Sequence, residues 1–213
     1  MPQPSNARFW LRLQIIAILA AVVYSSWPLG YWLNPAVSRN SLASGLEAIG
    51  QPYNWLFIGG DVLSGLLILV VGWQLWLHYL SGHRHRYLAG VVLAAVGFGV
   101  GTIVDALLPE RCVPNLQVCP NFTQDHLLLV HGMFSILAAL VLFVSLAWLW
   151  WRERSNYLLN LLMVGYIVFG IISLLEAVQP GNTGNWSQHY YITLSSVWLA
   201  VLPPVVHRSL KRL

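Results

Sequence analysis

Six apolar runs separated by short polar clusters take up nearly all of the chain: residues 9–33, 53–80, 87–108, 126–151, 157–178 and 189–207. Each is long enough to cross a hydrocarbon core of ~30 Å at ~1.5 Å rise per residue. The pattern predicts an all-α, polytopic membrane protein: six transmembrane helices in one bundle, forming a single domain over residues 1–213. Two connections are short (81–86 and 152–156), which makes antiparallel neighbours of the second and third spans, and of the fourth and fifth. The other three connections are longer. In the first of them, Leu42–Ile49 is expected to form a short amphipathic helical turn lying on the membrane.

Charge orients the bundle. Of the 11 Lys and Arg residues, only Arg39 and Arg111 fall on the side of the long connections; the rest flank the opposite ends of the spans. By the positive-inside rule both termini are cytoplasmic in a plasma or inner membrane. Of the 7 acidic residues, all but Glu153 lie toward the outer side. The net charge of +4 then reflects topological anchors, and nucleic acid is not expected as a partner. With 57% hydrophobic and 8% charged residues, a soluble globular domain is excluded and no soluble appendage is expected. The first run is too long and too rich in Trp and Tyr for a cleavable signal. Cys112 and Cys119, the only cysteines, share one outer connection, where an oxidising compartment favours a disulfide over a metal pair.

Polar side chains inside the spans carry the candidate chemistry. Asp61 and Ser64 lie at i, i+3 in the second run, and Asp105 ends the third, four residues beyond a Gly97-x-x-x-Gly101 spacing suited to close helix packing. His126, His131 and Ser135 open the fourth, Ser173 and Glu176 close the fifth, and His189, Thr193 and Ser196 open the sixth. An ionisable group within a span costs ~2.5–3.5 kcal/mol on insertion, so several at one depth need mutual partners or water.

Three readings compete. The first is an enzyme acting on membrane lipid at the outer leaflet, a hydrolase or acyl-transfer enzyme. Its catalytic residues are Asp61, Ser64, Asp105, His131, Ser135 and His189, with His126 and Glu176 contacting substrate. A Ser–His–Asp arrangement serves this chemistry, as does zinc activating a bound water. His126 and His131 point ~140° apart on a helix, which leaves His131, His189 and Asp105 or Asp61 as the ligand set. Buried His–carboxylate hydrogen bonding satisfies the same groups without an ion. The second reading is a lipid-binding protein or a small proton- or cation-coupled transporter. The third, a haem protein with His131/His189 and His78/His207 as axial pairs, ranks last: the pairs sit at the extreme ends of the spans, ~27 Å apart. Substrate and oligomeric state stay open.

The stretch from Asn40-Ser41-Leu42 through Gln51-Pro52-Tyr53-Asn54-Trp55 into Asp61-Val62-Leu63-Ser64-Gly65 resembles domain-of-unknown-function family 998, an uncharacterised prokaryotic membrane family. Gly101-Thr102-Ile103-Val104-Asp105, the Cys112/Cys119 loop and His126–Ser135 are similar to its central block, and the Trp198 segment to its last helix. The resemblance implies a six-helix membrane protein and carries no activity. The set of Ser, Asp and His residues is similar to that of the alkaline ceramidase and adiponectin receptor hydrolases. Those have seven spans and a late His-x-x-x-His pair, so nothing transfers to His126-x-x-x-x-His131.

Overall fold

A computed structural model describes residues 7–77, 86–113, 126–178 and 186–211. The described residues are helical and include no strand. Helix α1 (Ala7–Tyr24) leads through a 3₁₀ turn, Trp27–Leu29, into the short α2 (Gly30–Leu33). A short α3 (Pro35–Asn40) and a second 3₁₀ turn, Ala43–Leu46, precede α4 (Asn54–Leu75). Then follow α5 (Arg86–Leu107), α6 (His126–Arg152), α7 (Tyr157–Val178) and α8 (Trp186–Lys211). Six of these stretches are long and apolar enough to span a membrane, the first being the continuous Ala7–Leu33. The chain is thus a multi-pass membrane protein, with span limits within a few residues of those read from the sequence.

The six long helices close into a ring. α1 packs on α4 and α8, α4 on α5, α5 on α6, and α7 touches α6 and α8. The α6–α7 contact is the slightest of these, although a short turn joins the two. Asn156 caps the start of α7, its Oδ1 accepting from the backbone N–H of Leu158 (3.1 Å) and Leu159 (3.4 Å). The outer faces of α6 and α7 are lined with exposed Leu, Ile and Val, the surface that lipid covers.

Lipid offers apolar side chains no advantage over each other, so close packing must draw the helices together. Glycine does this on both faces of α5. A Cβ on Gly65 of α4 would stand 2.6 Å from the carbonyl oxygen of Gly99, and one on Gly99 would stand 2.9 Å from that of Gly65. On its other face, Gly101 meets Ala138 of α6, where an added Cβ would lie 2.9 Å from the alanine Cβ.

Prolines fall at two places in the spans, Pro28 after α1 and Pro203–Pro204 within α8, and remove helical donors there. Pro28 has no N–H for Tyr24, and the chain tightens there into the 3₁₀ turn, with Leu29 N–H donating to Ser26 O at 3.0 Å. Pro204 lies inside α8 and leaves the Ala200 carbonyl without its helical donor. Gln14 of α1 replaces that donor, its Nε2 standing 2.8 Å from Ala200 O.

The connection between α1 and α4 departs from expectation. Leu42–Ile49 does not lie apart from the bundle but folds inward over one mouth of the ring. Val37, Leu46 and Ala48 are buried against Phe57 and Val113. The apolar side chains of this loop bury better against the bundle than against headgroups. Its exit turns sharply through Gly50 (φ 83) and Tyr53 (φ 60), both left-handed. Cys119 and His78 lie outside the described residues, and with Cys119 the expected Cys112–Cys119 bond.

Gly65→Leu should separate α4 from α5 and lower the yield and melting temperature of folded protein. Gly59→Leu, where an added Cβ meets nothing within 4 Å, should be neutral. Thermal melting in detergent compares the two, and equal effects would refute the packing argument.

Candidate functional site

The site is built along one stripe of α5 and its antiparallel partner α6. Gly97 faces Val141, Gly101 faces Ala138, and one turn further out Asp105 faces Ser135 and His131. Ser135 Oγ donates to Asp105 Oδ1 at 2.8 Å. The His131 ring is 3% exposed and bridges two carboxyls: Nδ1 is 3.1 Å from Asp105 Oδ1, and Nε2 is 3.4 Å from Glu110 Oε1. Glu110, just past the end of α5 and itself buried, also holds the connection between α1 and α4. Its Oε1 accepts from Ser44 Oγ at 3.2 Å, and its carbonyl from the Ile49 N–H at 2.8 Å. From α8, Gln188 Oε1 accepts from the Ala43 N–H at 2.6 Å.

Beneath this loop lies a cavity of ≈ 90 Å³. Its walls come from the end of α1 and its 3₁₀ turn (Tyr24, Trp27), the loop (Glu47), α4 (Phe57, Asp61), α5 (Phe98, Asp105), α6 (Ser135) and α8 (Gln188, Tyr191). Among the described residues the wall carries no Lys or Arg. Glu47 is 8% exposed and hydrogen-bonds the Asp61 carboxyl. Burial pushes the Glu47 carboxyl well above the ordinary range, and the nearby Asp61 and Asp105 push it further, against a smaller opposing effect of His131. Below the cavity, Tyr191 O–H donates to the Tyr166 hydroxyl of α7, which also accepts from Ser195 Oγ at 3.4 Å.

The structure divides the candidates read from the sequence. Asp61, Asp105 and Ser135 reach the cavity, and His131 stands behind Asp105. Ser64, ~60° round the helix from Asp61, is fully buried in the packing and off the wall. His189 is 2% exposed with its ring against Trp27, centroids 4.4 Å apart. Glu176 bonds Ser187, which pairs with Ser173 at 2.9 Å where α7 meets α8, away from the cavity. His126 is exposed, as its angle from His131 requires. At the opposite end of the ring, His207 stacks on Trp10 at 4.2 Å.

The structure does not bring the expected metal set His131, His189 and Asp105 together. Among the described residues no three His, Cys, Asp or Glu side chains are placed to hold an ion. The reason is geometric: the two ring nitrogens of His131 face carboxyls on opposite edges, so the donors diverge, and His189 packs on Trp27.

Glu47, Glu110 and Tyr191 are site residues the sequence reading passed over. Both glutamates lie in connections, where solvation is the ordinary fate of a carboxylate. One signal was present: Glu47 is the sole charge in Leu42–Ile49, an otherwise apolar stretch that water would not favour.

The family model DUF998, described as a protein of unknown function, matches residues 15–207, and the chain belongs to that family. Neither a curated protein nor a solved structure matches it.

Because the folded Glu47 carboxyl sits above its unfolded value, it stabilises the fold in acid. That contribution is lost as pH rises through the raised folded value. Wild-type protein should therefore lose melting temperature as pH rises above the ordinary carboxylate range, and Glu47→Gln should flatten the decline. A Glu47→Gln profile parallel to wild type would contradict the burial of this carboxyl.

Proposed function

We propose that this DUF998 protein is a small proton-coupled carrier, whose Glu47–Asp61 carboxyl pair binds and releases the coupling proton. The observation that carries the reading is the cavity itself. Glu47, Asp61 and Asp105 border a partly open space of ≈ 90 Å³ with no Lys or Arg on its described wall. Several carboxylates in a low-dielectric pocket repel one another, so at least one is held as the acid. His131 answers part of this charge but is committed to Asp105 and Glu110. That bridge fixes the frame, and the Glu47–Asp61 pair is left to exchange protons with water. A space of ≈ 90 Å³ also falls below the ~300–1,000 Å³ of sites that engulf larger ligands.

A lipid hydrolase or acyl-transfer enzyme is the second reading, favoured by the contiguous chain Ser135–Asp105–His131. Against it, Ser135 donates to Asp105 rather than to the imidazole, and neither ring nitrogen is left to act as its base. Non-catalytic lipid binding has no specific support in the cavity.

Difference infrared spectroscopy across a pH step tests the carrier. A protonated-carboxyl band should appear in acid and should be lost in Glu47→Gln or Asp61→Asn. A spectrum unchanged in both variants defeats the reading. Lipid turnover by purified protein in liposomes, abolished in Ser135→Ala and His131→Gln, would instead establish the enzyme.

Orientation belongs to the same proposal. The start of α1 and the end of α8 face the cytoplasm, as the basic residues around Arg8, Arg152 and Arg208 require. The cavity then opens toward the extracytoplasmic side, where Cys112 and Cys119 are joined. Single cysteines placed at Ala7 and Lys211, with Cys112 and Cys119 changed to Ser, should resist impermeant thiol reagents in intact cells. Labelling of either would reverse the assignment.

A further inference from the structure

We propose that the cavity binds a small organic ammonium ion, a primary amine of a few heavy atoms, in exchange for a proton. The proposal rests on the carrier reading and adds its substrate class. Five aromatic side chains, Tyr24, Trp27, Phe57, Phe98 and Tyr191, border the same space as Glu47, Asp61 and Asp105. Tyr24 and Phe98 meet edge to face, with centroids 5.2 Å apart, so the wall is a packed aromatic surface. Carboxyls with no Lys or Arg on the described wall select a cation, and aromatic rings add attraction for one that has shed its water.

The rest of the wall decides which cation. Calcium takes ~6–8 oxygen ligands and magnesium a near-octahedral shell, which aromatic rings cannot supply. No trio of ligating side chains is present among the described residues either. An alkylammonium suits both surfaces: its N–H groups donate to carboxylates, and its CH₂ groups lie on the rings. Size sets the limit. A cavity of ≈ 90 Å³ has room for several water molecules at ~10–15 Å³ each, hence for an amine of comparable bulk and not for a lipid.

The exchange balances. One R–NH₃⁺ enters as one proton leaves the Glu47–Asp61 pair to water, so the charge of the site is unchanged. The groups around that pair are Tyr24 on α1, Asp105 on α5, His131 on α6, Tyr191 on α8 and Glu110 beyond α5. His131 engages Asp105 and Glu110 in both states, which leaves the pair to carry the exchange.

Calorimetry on the full chain in nanodiscs tests this with ethylammonium, neutral ethanol and Mg²⁺ as probes. Saturable ethylammonium binding is expected. It should weaken about tenfold per pH unit on acidification while the pair titrates, and release about one proton, read from buffers of different ionisation enthalpy. Phe98→Leu and Trp27→Leu, which remove aromatic wall and no titratable group, should each weaken binding about fivefold. Both should keep the protonated-carboxyl infrared band, which reports an intact pair. Absence of ethylammonium binding with that band intact overturns the substrate and leaves the proton reading standing; absence of the band overturns both. Equal binding of ethanol, tighter binding of Mg²⁺, or unweakened binding in both aromatic variants also overturns the proposal.

Discussion

An imidazole between two carboxyls organises one end of this helical ring. His131 belongs to α6, Asp105 to the last turn of α5, and Glu110 to the chain beyond it. Burying these groups singly in a bilayer would be costly, and together they satisfy one another. Glu110 passes the constraint on: through Ser44 and Ile49 it helps fasten the connection between α1 and α4 over the ring. Together with the apolar contacts of Leu46 and Ala48 and the Ala43–Gln188 bond, it brings Glu47 inside and roofs the cavity.

The bridge depends in turn on how close α5 and α6 come. Gly97 and Gly101 let the helices meet at Val141 and Ala138, and the same stripe then delivers Asp105 to Ser135 and His131. On the opposite face, the Gly65–Gly99 contact positions α4 and with it Asp61. Small residues thus supply proximity, and polar residues one turn further out use it. The proline sites follow a related rule. Where Pro204 deprives Ala200 of its helical donor, Gln14 from the neighbouring helix provides another, because no water is at hand to do so.

The cavity and its frame differ in how their charged groups are partnered. The Asp105–His131–Glu110 set has its partners within the protein, whereas the Glu47–Asp61 pair shares a hydrogen bond beside open space. Aromatic side chains complete the wall and keep the space small. The pairing makes Glu47, a loop residue, as much a part of the site as the helical aspartates.

The sequence by itself determined the six spans and their limits, because hydrophobic length against bilayer thickness is a one-dimensional property. It also placed Asp61, Asp105, His131 and Ser135 at one depth and set His126 on another face, since helical periodicity fixes both. Only the tertiary structure decided which of these meet. Ser64 and His189 have the same composition-level credentials as Ser135 and His131, yet one is absorbed in helix packing and the other lies on Trp27. Glu110 gave no sign as a site residue, and Glu47 only that of a lone charge in Leu42–Ile49, because the burial of both depends on a loop folding inward, a long-range event. Helix rotation and loop docking are set by contacts between segments distant in the chain, and those contacts made the cavity.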